Sequence, residues 1–187
     1  MFKPKVASSN AASRSATLKS VTVTEFVPSK PAVLERFSEQ PVGTPVVDQG
    51  GFGTVPWGSA SQFEDKTAKW IWTSPNARFS APVGSYNFAA QLKIMSVTPV
   101  TAMLHILVDN DADIYLNGEK VGSASLGFSA RDYSRIPLTL VWGVNDIVLR
   151  CTNTGVGPAG VCASLIDDVS KTPLLKTEGS RWVYNKV

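Results

Sequence analysis

Six carboxylate, imidazole and indole positions set the chemistry this chain could attempt. Asp109, Asp111 and Asp113 alternate in Asp109-Asn110-Asp111-Ala112-Asp113, and clustered carboxylate oxygens are what a hard cation such as calcium requires. An EF-hand loop counted from Asp109 needs Gly at its sixth position and Glu at its twelfth. This chain has Ile114 and Lys120 there. Asp and Asn also favour tight turns by hydrogen-bonding their own backbone, so a polar loop between two strands is the more economical account of the triplet.

Nucleophilic catalysis would have to pass through the single histidine, His105, which sits inside an apolar run and lacks a Gly-x-Ser-x-Gly partner motif. A lone strand histidine is ordinarily a packed or surface residue. Zinc requires three or four nitrogen or sulfur ligands, and His105 with Cys151 and Cys162 falls short. Gly50-Gly51-Phe52-Gly53 leads into Pro56 and Trp57 instead of a helix, so it makes no phosphate loop. Nothing in the spacing of the carboxylates favours a glycosidase pair. The residues therefore predict a protein that is not an enzyme, with no cofactor and no metal centre.

The tryptophans offer a different chemistry. Trp70 and Trp72 lie two residues apart and would share one face of a strand, whereas Trp57, Trp142 and Trp182 are scattered. An exposed pair of indoles would make a stacking platform for sugar rings. Aromatic rings also bury large areas and dominate β cores, and the core is the favoured place for both. Cys151 falls in phase with Ile147 and Leu149, and Cys162 follows on the next strand. The two could face each other, but two reduced, buried thiols are the expectation for a protein made in the cytosol.

The elements that must position these residues are strands. Tyr86, Phe88, Ala90, Leu92 and Ile94 alternate with polar or small residues, the mark of a half-buried strand. Thr101–Val108 carries apolar groups on both faces and predicts a central strand covered on two sides. Asp113–Leu116 runs into Asn117-Gly118, a strong hairpin signal because both turn positions favour positive φ. Glu119–Ala124 returns, Ile136–Val141 and Asp146–Thr152 form another pair, and Gly160–Asp167 and Arg181–Tyr184 close the series. Short strands with frequent turn signals indicate a sandwich or barrel.

The first 45 residues differ. Residues 7–20 show no apolar period, Val21–Val27 reads as one short extended strand, and Pro28, Pro31, Pro41 and Pro45 punctuate the rest around a possible turn of helix at Ala32–Ser38. Such a segment cannot bury enough surface to offset its own ordering entropy. The chain thus divides into an extended basic arm, residues 1–45, and a β-sandwich domain, residues 46–187. Residues 1–40 hold six basic and three acidic groups, and the remainder holds twelve of each. A surplus this thin, without interleaved aromatics, argues against a nucleic-acid partner. No apolar run of 18 residues exists to span a membrane as a helix, and the basic start develops no signal-peptide core.

Three stretches resemble a known family: Ala68-Lys69-Trp70-Ile71-Trp72; Asp111 to Gly122, with Tyr115-Leu116-Asn117-Gly118 at its centre; and Gly143-Val144-Asn145 leading to Asn153 and Gly157-Pro158-Ala159-Gly160. Together they look like the galactose-binding-like β-sandwich, an antiparallel jelly roll found as an accessory module of glycoside hydrolases such as rhamnosidases. Pro56-Trp57-Gly58 and Ser74-Pro75-Asn76-Ala77 extend the resemblance to virion proteins of large icosahedral double-stranded DNA viruses of algae and protists. That likeness implies a structural component of a virus particle, a minor capsid or capsid-associated protein. Its arm and sandwich surface would contact other capsid proteins or further copies of itself. The alternative it implies is a carbohydrate-binding module, displayed on a particle surface, with a glycan as partner.

Overall fold

The computed structural model describes residues 41–58, 63–125 and 133–187. The expected Val21–Val27 strand and Ala32–Ser38 turn lie outside the described residues. Within them the chain forms twelve strands and no helix. In chain order these are β1 (Thr44–Pro45), β2 (Val47–Gly51), β3 (Lys69–Trp72), β4 (Gly84–Ile94), β5 (Val100–Asp109) and β6 (Asp111–Leu116). They continue with β7 (Glu119–Ser125), β8 (Ser134–Leu140), β9 (Gly143–Asn153), β10 (Gly160–Asp167), β11 (Pro173–Lys176) and β12 (Val183–Lys186).

The strands pair antiparallel throughout, in two sheets. Sheet one has the order β1-β12-β4-β9-β6-β7, and sheet two the order β2-β3-β10-β5-β8, with β11 alongside β10. The sheets enclose one large core, in which Phe88, Leu92 and Ile94 of β4 and Ile147 and Leu149 of β9 meet Leu104 and Ile106 of β5 and Val161 and Leu165 of β10. The alternation expected for Tyr86–Ile94 is present, with its apolar residues facing that core. Asn117 and Gly118 take φ of 52° and 85° in the β6–β7 hairpin, as the Asn-Gly pair predicts.

The expectation that Thr101–Val108 is covered on both sides also holds. A second cluster, built from Trp57, Phe63, Ala68, Trp70, Leu107, Tyr133 and Cys162, lies on the outer side of sheet two. Asp65 fastens this covering segment, accepting from Thr67 N at 2.9 Å and from Ser164 Oγ on β10 at 2.8 Å. Differences lie at the ends. The last strand begins at Val183 instead of Arg181, and Trp182 turns inward to donate to Lys176 O at 2.9 Å. Among the described residues the first paired ones are Thr44 and Pro45, within the segment assigned to the arm. Neither β2 nor β11 is among the strands that the sequence predicts.

Candidate functional site

The predicted indole pair separates. Trp72 lies in the inter-sheet core, 5.0 Å from the Phe88 ring and 5.9 Å from Tyr86. Trp70 joins the outer cluster and stacks on Trp57 at 4.3 Å and 16°. Both rings are buried, at 3% and 0% exposure for Trp70 and Trp72, so they form no sugar platform. The β2–β3 ladder is irregular here, with Asp48 opposite Ile71 and Gly50 opposite Trp70. The extra residue, Gln49, lies on β2, where such a bulge adds twist; on β3 all of Trp70, Ile71 and Trp72 are buried, Trp70 in the outer cluster and the other two in the inter-sheet core.

The aspartate triplet also disperses. Asn110 alone links β5 of sheet two to β6 of sheet one, so the triplet straddles a joint between the sheets and is not a loop. Asp109 is buried and accepts from Trp57 Nε1 at 3.0 Å. Asp111 accepts from Ser125 Oγ, and Asp113 from Ser123 Oγ at 2.8 Å and from Lys120 Nζ at 2.8 Å. Each carboxylate is satisfied by a different neighbour. Among the described residues no group of three His, Cys, Asp or Glu side chains gathers as a metal site. Burial pushes the Asp109 carboxyl above the usual range, and the indole N–H partly offsets this.

His105 is buried on the outer face of β5, stacked on Tyr133 at 5.2 Å, with Glu64 Oε2 3.6 Å from its Nε2. Burial, and after it the Arg135 charge, hold its pKa below the ordinary imidazole value against the pull of Glu64. Cys151 lies in the inter-sheet core and Cys162 in the outer cluster, so the two thiols are on opposite sides of the packing and are free. Burial pushes both thiols far up.

A built surface exists elsewhere, at the end of the sandwich where β3 leads to β4, β5 to β6, and β9 to β10. The segments 73–83 and 153–159 are knitted together there. Ala81 N donates to Gly157 O at 2.7 Å, Ala159 N to Ala77 O at 3.0 Å, and Asn153 Nδ2 to Ala81 O and Pro82 O at 3.2 and 3.1 Å. Asn110 Oδ1 accepts from Thr154 N at 2.9 Å and so ties in the joint between the sheets. From this surface projects Phe79, 66% exposed, with the Arg78 guanidinium 4.6 Å from its ring centroid.

Among the described aromatic residues, only Phe79 and Trp142 are exposed. Trp142, at the opposite end, sits on the β8–β9 turn. That turn is held by the fully buried Asn145, which accepts from Val141 N at 3.0 Å and donates to Val141 O at 2.8 Å and Gly143 O at 3.2 Å. Its exposed neighbours Val141 and Val144 are apolar. Nothing in the local sequence marks either ring as a platform. The Asn-Ala-Arg-Phe run after a proline is the one feature it offers at Phe79.

Solved structures share this architecture. A lectin from Pleurotus ostreatus in complex with GalNAc is 30% identical with a TM-score of 0.52, and its apo form is 31% identical with a TM-score of 0.50; each covers 64% of this chain and 35% of the lectin chain. An alpha-L-rhamnosidase from Streptomyces avermitilis complexed with L-rhamnose matches 78% of this chain at 19% identity and a TM-score of 0.55. The fold is the galactose-binding-like β-sandwich. The galactose-binding-like domain described here spans about a third of the lectins and 13% of the rhamnosidase. No protein-family model and no curated protein sequence matches the chain.

Proposed function

We propose that this domain is a non-enzymatic carbohydrate-binding module whose sugar site is the surface built from residues 73–83, Asn110 and 153–159. The observation that carries this reading is the exposed Phe79 ring set among cross-tied polar loops, in a chain 30% identical to a GalNAc-complexed lectin over the matched region. A sugar ring has an apolar C–H face and a rim of hydroxyls. It is met by an aromatic plane with hydrogen-bonding groups beside it. Phe79 supplies the plane, and Asn76, Arg78, Ser80 and Thr154 supply exposed polar groups along the same segments. Binding residues on loops held by a rigid scaffold are the common arrangement, and loops already fixed lose little freedom when a ligand arrives.

The lectin neighbours support the sugar reading over the capsid role that the sequence resemblance implies. A glycan array probed with the full chain tests it. Binding to at least one saccharide class, abolished by Phe79→Ala in a variant that melts like the parent, is the expected result. A blank array, or binding indifferent to Phe79, removes the reading.

A further inference from the structure

Resting on that site, we infer that Arg78 makes it selective for anionic saccharides, those bearing a carboxylate such as a uronic acid or a sulfate ester. Three observations lead there. First, Arg78 is the sole charged residue in segments 73–83 and 154–159 and at Asn110 together, so the ligand-facing loops carry one uncompensated positive charge. Of the acidic residues at the nearby joint, Asp109 is buried under Trp57 and Asp111 is engaged by Ser125.

Second, the Arg78 side chain is uncommitted. Among the described residues its guanidinium forms no ion pair and no hydrogen bond, and it lies over the Phe79 ring. An arginine retained for an internal carboxylate would show such a partner. All five of its N–H donors remain available, in the planar fork that matches a carboxylate or sulfate edge.

Third, the pair is held in place from below. Gln49, only 4% exposed, accepts from Arg78 N at 3.2 Å through Oε1 and donates through Nε2 to Ser74 O at 2.7 Å and Val47 O at 3.1 Å. Phe79 N and Ser80 N both donate to Asn76 O at 2.9 Å. Ala77, fully buried, pins the turn to the domain. The loop thus presents one aromatic ring with a cation over it, on a fixed backbone. Phe79 would take the C–H face of the sugar while Arg78 grips its acidic substituent.

The test measures affinity of the full chain for an oligogalacturonate, for the same oligosaccharide as its methyl ester, and for a sulfated oligosaccharide. We expect the acid to bind about tenfold or more tightly than its ester, with added salt narrowing the gap. Arg78→Ala should erase that preference, and Arg78→Lys should keep the charge but lose part of it. Preference for the sulfated oligosaccharide over the carboxylated one, equally dependent on Arg78, supports the inference with sulfate as the anion. Equal affinity for acid and ester, or a preference untouched by Arg78→Ala, overturns it while leaving sugar binding intact. Failure to bind any saccharide in the array removes the sugar reading itself, and this inference with it.

Discussion

Trp57 and Asp109, 52 residues apart in sequence, are joined by a 3.0 Å hydrogen bond from the indole Nε1 to the carboxylate Oδ2. The bond connects the segment covering sheet two to the joint at which the chain crosses into sheet one. It also gives a buried carboxylate its indole N–H donor, beside a second donor in Asn110 Nδ2 at 3.0 Å.

Trp57→Phe keeps an aromatic ring against Trp70 and removes that donor. A charge-assisted bond to a buried group is worth about 1–3 kcal/mol, and that is the expected loss near neutral pH. The folded pKa of Asp109 already lies above its unfolded value because of burial. Its neutral form therefore favours the fold at low pH, and this contribution is lost as pH rises through the folded pKa. The variant raises that pKa further, so its deficit should shrink as pH falls through the variant's folded pKa and then the parent's, both above the unfolded value. Urea melts of both proteins at pH 7 and in acid measure this, and an equal deficit at the two pH values contradicts it.

Gly160 has no space for a side chain. A Cβ there would stand 2.7 Å from Trp57 Cζ2 and 2.9 Å from Trp70 Cε3. Gly160→Ala should cost about 1–3 kcal/mol by overpacking. Gly155→Ala, where a Cβ meets nothing within 4 Å, should change stability by less than about 0.5 kcal/mol. Thermal denaturation of the two variants compares them directly, and similar melting temperatures would refute the crowding.

Trp142 is 64% exposed, while Trp57, Trp70, Trp72 and Trp182 are buried. It should therefore account for the red-shifted, acrylamide-quenchable part of the tryptophan emission. Trp142→Ala should remove that part and leave stability within about 0.5 kcal/mol. Persistence of the quenchable emission would place another indole at the surface.

His105 should make the protein acid-sensitive. Burial keeps its folded pKa below the unfolded value of about 6.5, so the unfolded chain takes up a proton first. The stability this residue contributes is present above that unfolded value and is lost as pH falls through the folded one. Chemical denaturation from pH 7.5 to pH 5 should show declining stability, and His105→Leu should flatten the slope. An unchanged slope would assign the acid sensitivity to other groups.

The framework of the fold was legible because it depends on local pattern. Asn117-Gly118 dictates its hairpin through φ alone, and the alternation from Tyr86 to Ile94 tells one face of β4 from the other. The candidate site was not legible in the same way. Whether an indole is buried depends on what covers it from far along the chain. Trp70 is hidden by Trp57 and Trp72 by Phe88, pairings that no window around Trp70-Ile71-Trp72 contains. Phe79 stands out only once the other rings have been given their places. The Asp109–Asp113 triplet reads as a polar loop because Asp and Asn favour turns; the sheet joint at Asn110 instead puts its carboxylates on two strands, each with separate partners.

Gln49 lies 29 residues from Arg78 in sequence, yet its amide hydrogen-bonds the backbone of the segment that carries Arg78 and Phe79, at Ser74 O and Arg78 N. Shape and identity are thereby uncoupled at this surface. New side chains at 78 and 79 can be tried without rebuilding the turn beneath them, so closely similar backbones could serve unlike ligands. A change at Gln49 would do the reverse, leaving the recognition groups in the sequence but no longer aligned.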